Sequence, residues 1–105
     1  MAYRWPDKDP DETLDFSVDW SRVLTSDTLS SAKWFIKESD GTKNELADAE
    51  TVEGLQFVNG TVSGKVATAR FSQGTNNKRY TVVCQITTGG QLVFERDIHL
   101  RVKEK

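Results

Sequence analysis

The chain has 105 residues, 36% of them apolar and 10% aromatic, with a net charge of −2. That length makes one domain with a core that needs no staples, and the single cysteine, Cys84, excludes an internal disulfide and a cysteine-built metal cluster. An acidic balance without interleaved basic and aromatic residues argues against a nucleic-acid partner.

No apolar run approaches the roughly 20 residues of a membrane helix. The opening Met1-Ala2-Tyr3-Arg4-Trp5-Pro6 lacks the apolar stretch of a signal peptide, so synthesis in the cytoplasm is expected. The charge is unevenly spread. Residues 1–53 carry 6 basic and 13 acidic groups, a net of −7, and residues 54–105 carry 8 basic and 3 acidic, a net of +5. Two readings follow: Asp15 and Asp19 face Arg or Lys on a neighbouring strand, or acidic and basic edges of different copies meet head to tail in a homo-oligomer.

Residues 1–12 read as an extended N-terminal arm, because Pro6 and Pro10 remove backbone donors and hold their predecessors extended. The arm is expected to stand apart from a body over residues 13–105. Asp7, Asp9, Asp11 and Glu12 suggest calcium ligands, but a loop counted from Asp7 has Glu12 where an EF-hand needs glycine and Val18 where it needs glutamate. A solvated acidic arm is the expectation, with no metal. Tyr3 and Trp5 lie outside the periodic segments. They either anchor a partner or fold back over one end of the body.

Residues 13–20 alternate Leu14, Phe16, Val18, Trp20 against Asp15, Ser17, Asp19, the period of a half-buried strand. Residues 32–38 form the next strand, with Ala32, Trp34 and Ile36 inward and Phe35 breaking the polar face. Asp40-Gly41 is a turn, and residues 45–53 are expected to be loop. A short strand over residues 55–58 should end in a type I′ turn at Asn59-Gly60, with another strand over residues 61–71. Tyr80, Val82, Cys84 and Ile86 then alternate with polar residues up to Gly89-Gly90, expected to make a tight turn with positive φ. The last strand follows, with Leu92, Phe94, Ile98, Leu100 and Val102 on one face. Arg96 interrupts that face, so a bulge, a salt bridge or the margin of the core is expected there.

Six or seven short strands and no helix predict an all-β, single immunoglobulin-like antiparallel β-sandwich with an extended N-terminal arm. Tyr80, just after a polar turn, sits where such domains bond a tyrosine hydroxyl back to the preceding loop. Val82 then stands in the place of a disulfide cysteine, with Trp34 filling the core centre. Cys84 is expected to be a small buried hydrophobe.

Catalytic chemistry is not visible. His99 is the only histidine and lies on a polar face, without the nucleophile context or orienting carboxylate of a triad. Residues 60–64 lack the setting of a phosphate loop. No catalytic, cofactor or metal residue is expected, and the chain is read as a non-enzyme.

Several segments resemble a known family. Lys8-Asp9-Pro10-Asp11, then Leu14-Asp15-Phe16-Ser17-Val18-Asp19-Trp20, then Asp27-Thr28 and Trp34 are similar to tailed-bacteriophage fiber-tail adaptor or minor virion structural proteins. Tyr80-Thr81-Val82, Ile86-Thr87-Thr88, Gly90, Arg96 and Leu100-Arg101-Val102 fit the same pattern, so the likeness spans most of residues 8–103. The resemblance implies a non-enzymatic virion component, made in the host bacterial cytoplasm, that joins tail or neck to fiber or neighbouring virion proteins. Its partner-binding residues would lie on the arm: Tyr3, Trp5, Lys8, Asp9, Pro10 and Asp11. No nucleic-acid or membrane partner is expected. The alternative is a carbohydrate-binding or head-decoration β-sandwich module, in which exposed tryptophans would serve as sugar platforms.

Overall fold

Alternating apolar and polar residues build two sheets whose inner faces meet. The computed structural model describes residues 3–24 and 26–104, with Tyr3 described by its backbone alone. Among these residues there are nine strands and no helix: β1 (Tyr3–Arg4), β2 (Leu14–Asp19), β3 (Leu29–Lys37), β4 (Lys43–Glu45), β5 (Glu50–Val52), β6 (Leu55–Ser63), β7 (Val66–Gln73), β8 (Lys78–Thr88) and β9 (Val93–Val102). One sheet runs β1-β9-β8-β3-β4 and the other β2-β7-β6-β5. Neighbours pair antiparallel except β1, which lies parallel to β9. The all-β sandwich expected from periodicity is the architecture observed, with more strands than the six or seven counted.

The period-two segments pack as read. Phe16, Val18 and Trp20 enter the core from one sheet, and Trp34, Ile36, Val82, Cys84 and Ile86 from the other. Leu100 and Val102 join them, so the hydrophobic contacts run the length of the sandwich.

Glycines are where local reading failed. Asn59-Gly60 is no hairpin turn: β6 runs through both residues, with a register shift between Phe57 and Asn59, and the chain turns at Gly64 instead. A Cβ on Gly60 would stand 2.8 Å from the Trp34 Nε1, so this glycine serves the close approach of an indole from the facing sheet. Gly89 and Gly90 likewise do not supply the positive φ of their loop; Gln91 does, at 67°. Cβ atoms on the two glycines would meet the Asp27 carboxylate at 3.1 and 3.0 Å. Arg96 makes no bulge, since β8 and β9 stay in register through the Cys84–Arg96 pair. Its guanidinium carbon lies 4.4 Å from the centre of the Trp20 ring, a cation–π contact that admits a charge to the margin of the core.

The Tyr80 hydroxyl bonds back to the preceding loop. It accepts from the Thr75 N–H at 3.0 Å and donates to the Glu53 carbonyl at 2.7 Å. Two corners of the molecule are thus tied through one buried oxygen. Replacing Tyr80 by phenylalanine leaves both partners without it and is expected to cost about 1–2 kcal/mol, read as a lower urea midpoint at unchanged slope.

Candidate docking surfaces

The N-terminal segment is extended, as expected, but it is laid onto the body. Tyr3 and Arg4 pair with Ile98 and His99, and Lys8 bridges Val102. The Trp5 N–H donates to the His99 carbonyl and the Lys8 N–H to the Arg101 carbonyl, each at 3.0 Å. The boundary expected at residue 12 therefore does not separate a free arm from a body.

Two expected partner contacts face inward. Trp5 is 7% exposed; its ring stacks on Phe16 at 4.8 Å, and its indole N–H donates to the Ser17 carbonyl at 3.1 Å. That bond satisfies an outward carbonyl on the edge of β2, which explains why the indole turns in. Lys8 is fully buried, and its ammonium donates to the Gln73 carbonyl at 2.6 Å and the Asp9 carbonyl at 2.9 Å. Neither residue is free to meet a neighbour. Nothing in the spacing signalled a buried lysine, because its acceptors are main-chain carbonyls, one of them 65 residues away.

Asp9, Pro10 and Asp11 remain accessible at the end of the segment. They form a closed turn: the Asp9 N–H donates to Glu12 Oε1 at 2.8 Å, the Glu12 N–H to the Asp9 carbonyl at 3.0 Å, and the Asp11 N–H to Asp9 Oδ1 at 2.8 Å. These carboxylate oxygens cap backbone donors, which gives the acidic run a structural reason. Of Tyr3 only the backbone is described; its side chain lies outside the described residues.

The opposite end of β9 carries a different surface. Leu92 and Val93 are 58% and 59% exposed and sit where the β8–β9 loop enters β9. Asp27 fixes that loop by accepting from the Thr28 N–H at 2.9 Å and the Gly90 N–H at 3.1 Å, while Thr88 Oγ1 accepts from the Leu92 N–H at 3.1 Å. The apolar pair is presented on a braced loop rather than hidden.

Several opposite charges pair within the fold. Arg70 grips Asp15 at 2.8 Å, Lys43 reaches Glu95 at 2.7 Å, and Lys37 reaches Asp97 and Lys78 reaches Glu53, each at 3.3 Å. For Asp15 the intramolecular reading of the uneven charge is the one observed. The Lys37 and Lys43 pairs straddle the outer row of β8 and help cover Val83.

Hydrogen bonding holds several carboxyl groups below their ordinary values: Asp15 through Arg70, Asp27 through the Thr88 hydroxyl and nearby backbone N–H groups, and Glu95 through Lys43. A carboxyl that is harder to protonate folded than unfolded adds stability above its unfolded value, and loses it as pH falls through the folded one. The urea midpoint is therefore expected to be level from pH 7 to about 5 and to fall below about pH 4. A midpoint that rises on acidification contradicts this assignment.

Cys84 and His99 offer no paired chemistry. Burial pushes the Cys84 thiol up to about 12, with the Trp20 indole and the Arg96 charge opposing it weakly, so the sulfur stays protonated and inert. The buried Trp20 N–H has no hydrogen-bond partner among the described residues. His99 is exposed, and among the described residues no group of three His, Cys, Asp or Glu side chains stands close enough to hold a metal. The three tryptophans are 7%, 1% and 3% exposed, so none forms a sugar platform.

The described residues form a braced sandwich with accessible features at both ends and all three tryptophans buried. A family model, described as podophage GP4 fiber-tail adaptor protein gp77, matches residues 8–101. The chain belongs to that fiber-tail adaptor family, a class of structural virion components. A comparison with curated proteins gave no match.

Proposed function

We propose that this chain is a non-enzymatic adaptor that joins the tail or neck of the particle to a fiber or a neighbouring virion protein, after synthesis in the host bacterial cytoplasm. The reading is carried by one observation: β9 separates two accessible ends of different chemistry. The exposed apolar pair Leu92–Val93 stands at its start, and the carboxylate turn of Asp9, Pro10 and Asp11 lies beside its last residue. Ten strand residues span roughly 30 Å, enough to hold two neighbours apart. Apolar side chains on a braced loop favour burial against protein, and the turn offers directional hydrogen bonding.

We also read the body as immunoglobulin-like. Support comes from the adjacency of β9, β8 and β3, the adjacency of β2, β7 and β6, and the tyrosine hydroxyl that ties the corner before β8.

The test is incorporation into particles. A Leu92→Ser/Val93→Ser variant changes only exposed side chains, so its thermal midpoint should match the parent. Its amount in purified particles should fall sharply, with loss of the fiber protein in the same preparation. Normal incorporation of this variant and of an Asp9→Asn/Asp11→Asn variant would overturn the reading. Recovery on isolated capsids rather than tails would favour head decoration.

A further inference from the structure

Strand register places like charges side by side at one corner of the five-stranded sheet. Arg79 on β8 stands directly opposite Arg101 on β9, and Arg4 on β1 stands beside His99. All four project from the outer face and line a cavity of about 220 Å³ floored by Leu100. Like charges directly opposite on a sheet are destabilising. Elsewhere on this face each strand-borne lysine of β3 and β4 that reaches across β8 finds a carboxylate. Here Asp7 alone serves both Arg4, at 3.6 Å, and Arg101, at 4.0 Å, and Arg79 has no ion pair among the described residues. In a chain of net charge −2, this is a local cationic surplus held at a cost in stability, the kind of local inconsistency expected at a functional site.

We propose that this groove binds an acidic segment of a partner protein, with Arg79 and Arg101 gripping its Asp or Glu carboxylates. Arginine suits the task, since its planar fork meets a carboxylate through two parallel bonds. The adjoining depression, which shares Arg79 and His99, also presents Glu38, Glu53 and Asp97. Those carboxylates interrupt any continuous phosphate track, which favours discrete acidic side chains over a nucleic acid. The choice of a protein ligand rests on the adaptor reading; the cationic groove itself does not.

The test uses the full chain and the peptide acetyl-Gly-Glu-Gly-Glu-Gly-amide, followed by amide chemical shifts in low salt. Shifts centred on Arg79, His99 and Arg101 are expected, absent with the glutamine version of the peptide and at least about tenfold weaker in affinity for Arg79→Gln. Because that variant relieves the opposed arginines, its urea midpoint should also rise. No shifts, shifts elsewhere, an equal response to the glutamine peptide, a stronger response to a short thymidine oligonucleotide, or a lower midpoint in Arg79→Gln each overturns the proposal. Since the titration needs no particle, its failure removes the groove and leaves the adaptor reading standing, whereas normal incorporation of the Leu92/Val93 and Asp9/Asp11 variants does the reverse.

Discussion

Replacing Trp5 by alanine is expected to lower the unfolding free energy by about 3–5 kcal/mol. The indole is buried between the sheets, with ring centres 4.8 Å from Phe16 and 6.1 Å from both Trp34 and Phe71. The substitution would open a large apolar cavity and leave the Ser17 carbonyl without its donor. A loss of that size should drop the thermal midpoint by about 12 °C or more. Trp5→Phe keeps an aromatic ring against Phe16 and loses the N–H, so a smaller fall is expected. If the residue instead stood clear of the body, awaiting a neighbour, alanine would change stability by no more than about 0.5 kcal/mol. Truncation of residues 1–11 removes this ring, the β1 pairing and Lys8 together, so it should compromise the fold and not merely a contact.

Lys8→Ala is expected to have the second largest effect, roughly 2–4 kcal/mol. The Gln73 and Asp9 carbonyls lose their ammonium donor, at about 1–3 kcal/mol for each acceptor left unsatisfied. Gln73 holds a positive φ of 61° and the following Gly74 a φ of 111°, so the chain turns tightly where the lysine reaches it. A Cβ on Gly74 would come within 2.7 Å of a Val102 methyl carbon, and Val102 is the residue that Lys8 bridges. The lysine is thus the clamp of a crowded corner. Lys8→Met keeps most of the volume and should recover part of the loss; equal damage from both variants in urea titrations would mean that the charge matters more than packing.

The strands that were legible in the sequence are those whose pattern is local. Leu14, Phe16 and Val18 alternate with charged or hydroxylated neighbours because one face is wet, and the same rule exposed Trp34, Ile36 and the β8 row. What escaped reading is set by distant partners. Gly60 looks like a turn residue until Trp34 is seen against it, and Gly89 and Gly90 until Asp27 is seen beneath them. Lys8 reads as solvated because nothing nearby announces a pair of buried carbonyls. Trp5, isolated between Arg4 and Pro6, has no periodic neighbour to show which way it faces. The family likeness was carried by short segments such as Lys8-Asp9-Pro10-Asp11, one of whose residues turns out to act from inside the fold. The cationic corner was invisible for the same reason: Arg79 and Arg101 are 22 residues apart and meet only through the β8–β9 register.

The central claim is that the N-terminal segment belongs to the sandwich and that contact with neighbours is made by outer surfaces. Native-state hydrogen exchange tests it most directly. The Trp5 and Lys8 amides, bonded to the His99 and Arg101 carbonyls, should exchange as slowly as the amides of central β8 and respond to urea with them. Rapid exchange of both amides under conditions where β8 stays protected would contradict the account.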